Sequence, residues 1–163
     1  MKSTLAYIAL CAAAVVLQVS VFAPFSWNGV AADLVLLMVV AIGLARGGTY
    51  AALCGFGAGL LLDLVPPSTD ETGRWAMAMI VVALLASAVQ PTSRRSMVAT
   101  AAVCSFVGTS VYALIGVVLG DHMPAFGSML GAILLGVVWD AAVAAIAMPQ
   151  LVRLFTRLQP HRV

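Results

Sequence analysis

Long apolar stretches alternate with short polar connectors along the chain. Six such stretches can be drawn, at approximately 4–23, 29–45, 49–65, 75–90, 96–120 and 127–149. Their apolar residues are continuous, which is the pattern of a membrane helix and not of a half-buried strand. A helix that crosses a membrane needs about 20 residues. The pattern therefore predicts about six transmembrane helices, of which the second, third and fourth are short.

The residues after the sixth stretch predict that its helix continues as an amphipathic tail. Arg153 and Arg157 are four residues apart, with Leu154 and Phe155 between them. This spacing places both arginines on one side of a short helix over 151–158. They would either anchor the chain's topology or contact anionic lipid headgroups.

Composition supports an all-α polytopic membrane protein. Hydrophobic residues make up 63% of the chain, charged residues 9%, and the mean hydropathy is +1.11, whereas soluble domains average about 25% charged residues. In lipid, backbone polar groups must be satisfied within helices or a closed barrel. Barrel strands would alternate apolar and polar residues, so we expect one six-helix transmembrane domain over residues 1–163. The net charge of +2 does not indicate nucleic acid binding.

The distribution of basic residues predicts the orientation. With the N-terminus in the cytoplasm, the cytoplasmic side holds seven of the eight Lys and Arg residues: Lys2, Arg46, Arg94, Arg95, Arg153, Arg157 and Arg162. The opposite connectors hold only Arg74, beside Asp70, Glu71 and Asp121. Because cytoplasmic loops of membrane proteins are enriched in Lys and Arg, both termini are predicted to be cytoplasmic.

The first apolar stretch has two interpretations. Lys2 precedes it, and Val21-Phe22-Ala23 resembles a weak signal-peptide cleavage site. Gln18 and Ser20 are nevertheless followed at once by further membrane segments. We favour an uncleaved first transmembrane helix over a cleaved signal peptide.

The sequence offers no recognisable catalytic or metal-binding arrangement. His122 and His161 both lie outside the apolar stretches, so the predicted topology gives no Ser or Cys a histidine partner within the membrane. Cys11, Cys54 and Cys104 occur singly, without the spacing of a metal site or a disulfide framework. Phosphate-loop, dinucleotide and zinc-protease motifs are also missing from the sequence. We therefore expect a protein that is not an enzyme, with no cofactor and no metal.

Three acidic residues lie within or at the edges of the apolar stretches. Asp33 and Asp63 belong to antiparallel segments and should reach a similar depth near the outer surface. Each could be functional, or could simply be solvated or cap a helix end. Asp140 lies deeper, past the middle of the sixth stretch. Because an acid within a membrane is costly and is usually paired, we expect Asp140 to make a buried polar contact.

Two pairs of glycines have the four-residue spacing that permits close approach of helices. Gly55 and Gly59 precede Asp63 on one helix face, and Gly127 and Gly131 repeat the spacing. The face formed by Gly55, Gly59 and Asp63 could pack within the monomer. Alternatively, together with Asp33, it could form an outer groove for a partner helix.

Several segments resemble the MreD family of rod-shape-determining membrane proteins. The resemblance lies in Leu17-Gln18-Val19-Ser20, Gly29, Asp33-Leu34-Val35-Leu36-Leu37, Arg46-Gly47, Gly55 to Leu64, and Met148 to Leu154. It implies a non-enzymatic subunit of the bacterial cell-elongation machinery in the cytoplasmic membrane, acting with MreC, near RodA and its transpeptidase partner and, indirectly, MreB. It also implies a fold similar to the substrate-binding subunits of energy-coupling-factor vitamin transporters.

Two other functions stay open at this point. A vitamin-binding transporter subunit would need a polar pocket at the outer side, for which Asp33, Asp63 and the Asp70-Glu71 connector are the candidates. A membrane enzyme is disfavoured by the positions of both histidines.

Overall fold

The computed structural model of the chain describes residues 2–22, 30–65, 73–121 and 125–157. Six α-helices and one π-helical segment make up the regular structure of these residues. They are α1 (Lys2–Leu17), the π-helical segment (Gln18–Phe22), α2 (Leu34–Arg46), α3 (Gly48–Asp63), α4 (Arg74–Ser87), α5 (Arg94–Leu119) and α6 (Phe126–Arg157).

The helices follow the six apolar stretches, and the all-α fold class is confirmed. Two boundaries differ from the predicted stretches by more than three residues. Helix α2 begins at Leu34 rather than near residue 29, because Asp33 caps it. Helix α6 continues past residue 149 to Arg157, as predicted for the amphipathic tail.

Among the described residues, two helices are long and apolar enough to cross a membrane by themselves. Helix α5 has 26 residues and α6 has 32, which correspond to about 39 and 48 Å at 1.5 Å per residue. Both exceed the roughly 30 Å thickness of a bilayer's hydrocarbon core. Val118, Phe126 and Ile146 on their outer faces are 78%, 71% and 70% exposed. Such a surface suits lipid; the six-span layout itself stays a prediction.

Aromatic residues join four helices at one end of the bundle. Tyr7 of α1 stacks on Phe155 of α6, with ring centroids 5.4 Å apart, and its hydroxyl donates to the Phe155 carbonyl. Arg46 of α2 donates to the Tyr7 hydroxyl at 2.8 Å and lies over the ring of Tyr50 in α3. Because Arg94, Arg95, Arg153 and Arg157 also lie toward this end, we name it the basic end.

The opposite end collects the acidic residues. Asp33 precedes α2, Asp63 ends α3, and Asp121 follows α5. Arg74 at the start of α4 forms an ion pair with Asp121, with an N–O distance of 2.7 Å. We name this the acidic end.

Helix α2 forms the centre of the bundle. It contacts the other five α-helices, and its residues from Val35 to Gly43 are all buried. Its 13 residues extend only about 20 Å. A helix this short can reside at membrane depth because neighbouring protein surrounds it. The length that α2 lacks leaves room at the acidic end of the bundle.

Candidate functional site

Asp33 organises the beginning of α2. Its carboxylate Oδ1 accepts a hydrogen bond from the backbone N–H of Leu36 at 2.8 Å, the geometry of an N-cap. The residue is only 8% exposed. Of the interpretations left open for this residue, helix capping is the one that the structure shows.

Asp140 of α6 makes the buried polar contact expected for it. Its Oδ1 accepts from the backbone N–H of Asp33 at 2.6 Å, and its Oδ2 accepts from the hydroxyl of Ser105 in α5 at 2.5 Å. The residue is 2% exposed. One carboxylate therefore joins α2, α5 and α6 at a single point. We name Asp33 and Asp140 the acid pair.

Gln18 connects the π-helical segment to the acid pair. Its side-chain oxygen accepts from the backbone N–H of Val35 at 3.0 Å, and its side chain also hydrogen-bonds to the Asp33 carboxyl. The first N–H groups of a helix have no partner within the helix. Gln18 and Asp33 therefore share the capping of α2.

An open cavity of about 680 Å³ lies over the acid pair. We name it the acidic-end cavity. Its walls come from the π-helical segment, the residues before α2, and parts of α4, α5 and α6. The polar lining residues are Gln18, Asp33, Thr109, Tyr112, Ser128 and Asp140, and the others are Val19, Val30, Ala31, Ala32, Trp75, Ala113, Met129, Ala132, Ile133 and Gly136.

Two stacked aromatic rings form one side of this cavity. Trp75 of α4 and Tyr112 of α5 lie with their centroids 4.4 Å apart. The guanidinium of Arg74 lies over the Tyr112 ring, 4.4 Å from its centroid. The ion pair of Arg74 with Asp121 helps to hold the guanidinium in this position.

The acidic-end cavity is suited to a group that donates hydrogen bonds or carries positive charge on an apolar body. Two carboxylates line it, and its described lining includes no Lys, Arg or His. Its volume falls within the usual range of about 300–1,000 Å³ for ligand pockets. In the described part of the chain, no group of three or more His, Cys, Asp and Glu residues could hold a metal ion.

Comparison with known proteins identifies the family. A family model described as rod shape-determining protein MreD matches residues 2–158. The chain belongs to the MreD family. Searches of curated proteins and of solved structures found no match. Membership makes this an integral membrane protein with a role in rod-shape determination, and the family is not a known enzyme family.

Asp63 of this MreD-family chain lies apart from the acid pair. Its carboxylate accepts from the backbone N–H groups of Gly73, Trp75 and Ala76 at 2.9, 3.1 and 3.2 Å. It therefore caps the start of α4 from the end of α3, one of the roles considered for it. The expectation of a groove formed jointly by Asp33 and Asp63 is corrected, since Asp140 and not Asp63 accompanies Asp33 in the lining of the acidic-end cavity.

Gly55 and Gly59 pack within the chain, against α4. A Cβ atom at Gly55 would lie 2.6 Å from the Met79 carbonyl oxygen, and one at Gly59 would lie 2.5 Å from that of Trp75. Both distances are far below van der Waals contact. Monomer packing, rather than an open groove, is the arrangement that the structure shows for this face.

Gly127 and Gly131 have the opposite surroundings. A Cβ atom at either position would have no neighbour within 4 Å among the described residues. These two glycines lie on an open face of α6, close in sequence to Ser128 and Ala132 of the cavity wall. Of the two glycine pairs with this spacing, Gly127 and Gly131 are thus the accessible pair.

The sequence interpretation missed Gln18 and Ser105 as members of the polar cluster. Both are polar residues within apolar stretches, which is the signal that could have identified them, because such residues usually have a partner. Their partners could not be named, since the contact between Ser105 and Asp140 joins residues 35 positions apart.

Proposed function

We propose that this MreD-family chain is a non-enzymatic membrane subunit of the bacterial cell-elongation machinery. It acts with an MreC-like protein and, through it, with RodA and its transpeptidase partner and indirectly with MreB, to position and control lateral peptidoglycan synthesis. The family match over residues 2–158 carries the proposal. The alternative, a vitamin-transporter subunit, has no support from the comparisons.

In this proposal the chain crosses the cytoplasmic membrane six times, and its basic end faces the cytoplasm. Arg46, Arg94, Arg95, Arg153 and Arg157 favour that orientation under the positive-inside rule. The contact between Tyr7 and Phe155 supports an even number of spans, because it places the start of α1 and the end of α6 on one side of the bundle. The acidic-end cavity then opens outward.

Cysteine labelling tests the orientation. A cysteine in place of Ala125, which is exposed at the acidic end, should react with an impermeant thiol reagent in intact cells. A cysteine in place of Ser93, exposed at the basic end, should react only after the cells are opened. Labelling of the Ser93→Cys variant in intact cells would reject the orientation.

The acidic-end cavity is the docking surface that we propose for the partner. An apolar lining with two buried carboxylates favours a partner segment that inserts an apolar side chain beside a donor or cationic group. A cavity of this volume accommodates a few side chains, so it would hold the membrane-proximal part of a partner and not a whole domain.

Paired tryptophan substitutions on α6 test this docking surface. Ala132 is exposed and lines the cavity, whereas Leu134 is exposed and does not. Ala132→Trp should lower recovery of a co-expressed MreC-like protein about tenfold, because a filled cavity imposes on the order of 1–3 kcal/mol of overpacking on the complex. Leu134→Trp is the matched control and should leave recovery unchanged.

Two results would contradict the proposal. If the wild-type chain purifies alone while the MreC-like protein is expressed and inserted in the membrane, the partnership is wrong. If both tryptophan variants retain the partner equally, the partnership stands and the cavity is not its docking surface.

A further inference from the structure

A proline in α6 fixes an arginine at the basic end. Pro149 lies inside the helix and has no N–H to donate to the carbonyl of Ala145, four residues earlier. Arg94, at the start of α5, takes that place: its Nε donates to the Ala145 carbonyl at 2.9 Å, and its Nη2 donates to the same oxygen. The guanidinium is thereby held between two helices without a carboxylate partner in the described residues.

This guanidinium lines a second cavity, of about 500 Å³, together with Arg153 and Gln150 of α6. We name it the basic-end cavity. The beginning of α5, capped by the Ser93 side chain, adds the partial positive charge of a helix N-terminus. No acidic residue belongs to the described lining of this cavity. Its field is therefore positive.

The remaining wall of the basic-end cavity is apolar. Met97 of α5 and Ile146 of α6 both line it, and Ile146 is 70% exposed. Ile146 lies about one helical turn before Gln150, on the side toward the middle of α6. The cavity thus places positive charge directly beside an apolar surface, at the level where the apolar stretch of α6 ends.

We propose that the basic-end cavity binds the phosphodiester headgroup of an anionic phospholipid. Arg94 and Arg153 contact the phosphate oxygens, Gln150 donates to the headgroup, and an acyl chain lies along Met97 and Ile146. Two arginines from different helices suit a phosphate, and basic pockets between membrane helices bind anionic headgroups. The exposed apolar wall favours a lipid over a free anion.

Native mass spectrometry of the full chain in mild detergent tests the site. Phosphatidylglycerol is the probe, and phosphatidylethanolamine is the zwitterionic comparison. Arg153 is exposed, so its replacement should change the stability of the protein little. Arg153→Gln should therefore lower phosphatidylglycerol occupancy about fivefold, the effect of removing one arginine from an anionic membrane contact.

Arg95→Gln is the matched control. Arg95 adjoins Arg94, is exposed, and lies outside the described lining of the cavity, so occupancy should change less than about twofold. Ile146→Ser should also weaken lipid retention while the protein's thermal stability is unchanged. Binding of the MreC-like partner should persist in Arg153→Gln, so failure of this proposal is separable from failure of the proposed function.

Several results would overturn the lipid site. Unchanged phosphatidylglycerol occupancy in Arg153→Gln would show that Arg153 does not contact the headgroup. An equal loss of occupancy in Arg95→Gln would show that lipid binding depends only on general surface charge. Competition by millimolar inorganic phosphate, with no effect of Ile146→Ser, would make it a free-anion site. If an acidic protein segment binds in place of phosphatidylglycerol, and this binding is lost in Arg153→Gln, the cavity is a protein interface.

Discussion

The two glycine pairs of this chain have the same spacing and opposite surroundings. Gly55 and Gly59 are buried against the backbone of α4, whereas Gly127 and Gly131 face open space on α6. The four-residue spacing indicates only that one face of the helix has small residues that permit close approach of another helix. Tertiary structure decides what covers it, and here one face is filled by the chain itself while the other is left uncovered.

The neighbouring acids differ in a parallel way. Asp63 follows the closed glycine face and satisfies three N–H groups of a single neighbouring helix start. Asp140 lies on the helix with the open glycine face and joins three helices below a cavity. The packed face between α3 and α4 and the acidic-end cavity thus each contain an acid, but only Asp33 and Asp140 line a cavity.

The largest expected effect comes from disrupting the packing of Gly55 and Gly59 against α4. Gly59→Leu should prevent stable folding or lower the free energy of unfolding by about 4 kcal/mol or more, because its Cβ would meet the α4 backbone, which cannot move aside cheaply. Thermal unfolding in mild detergent measures the change. The control is Gly57→Leu on the same helix, where a Cβ would have no described neighbour within 4 Å. Equal loss in both variants would contradict the packing described for α3 and α4.

Removing the Asp140 carboxylate from the acid pair should have the next largest effect. Asp140→Ala leaves the backbone N–H of Asp33 and the hydroxyl of Ser105 buried without their acceptor, which should lower the free energy of unfolding by about 2–3 kcal/mol. Asp140→Asn keeps an acceptor oxygen of the same shape and should lose less than half as much. If alanine and asparagine prove equally mild, the contact joining α2, α5 and α6 contributes little to stability.

The cap on α4 should contribute less. Asp63→Ala removes an acceptor for three backbone N–H groups, and the expected loss is about 1–2 kcal/mol. Asp63→Asn, which retains one acceptor oxygen, is the control. Hydrogen exchange at the N–H groups of Gly73, Trp75 and Ala76 should accelerate in the alanine variant; unaltered exchange there would argue against capping.

The smallest effect is expected on the open glycine face. Gly131→Leu should change the free energy of unfolding by less than about 0.5 kcal/mol, since no described residue lies within 4 Å of its Cβ position. The same detergent unfolding assay applies, with Gly59→Leu as the contrasting variant. A loss close to that of Gly59→Leu would mean that this face is covered within the monomer.

The sequence predicted the helices well because their cause is local. Continuous apolar stretches and short connectors fix where membrane helices form, and the described helices follow them. The start of α2 was misplaced because it depends on the Asp33 cap and on Gln18, which reaches it from the preceding segment. A connector and a capped helix start look alike when only hydropathy is considered.

The site was predicted only in part because its contacts are distant in sequence. Asp33, Asp63 and Asp140 were recognised individually as costly residues in apolar stretches. The contact between Asp33 and Asp140 spans 107 positions, and no periodicity within one helix can reveal it. The choice between Asp63 and Asp140 as the companion of Asp33 required the relative placement of α2, α3 and α6.

The contact between Tyr7 and Phe155 bears on how the protein is made. It joins residues 148 positions apart, so a ribosome must synthesise α6 before α1 can take its final place beside it. The walls of the acidic-end cavity likewise combine early and late parts of the chain, since the segment after α1 and the first half of α6 both line it, together with parts of α4 and α5. A chain stalled before α6 therefore has no such cavity, and a partner that docks there engages only molecules whose synthesis has passed that helix.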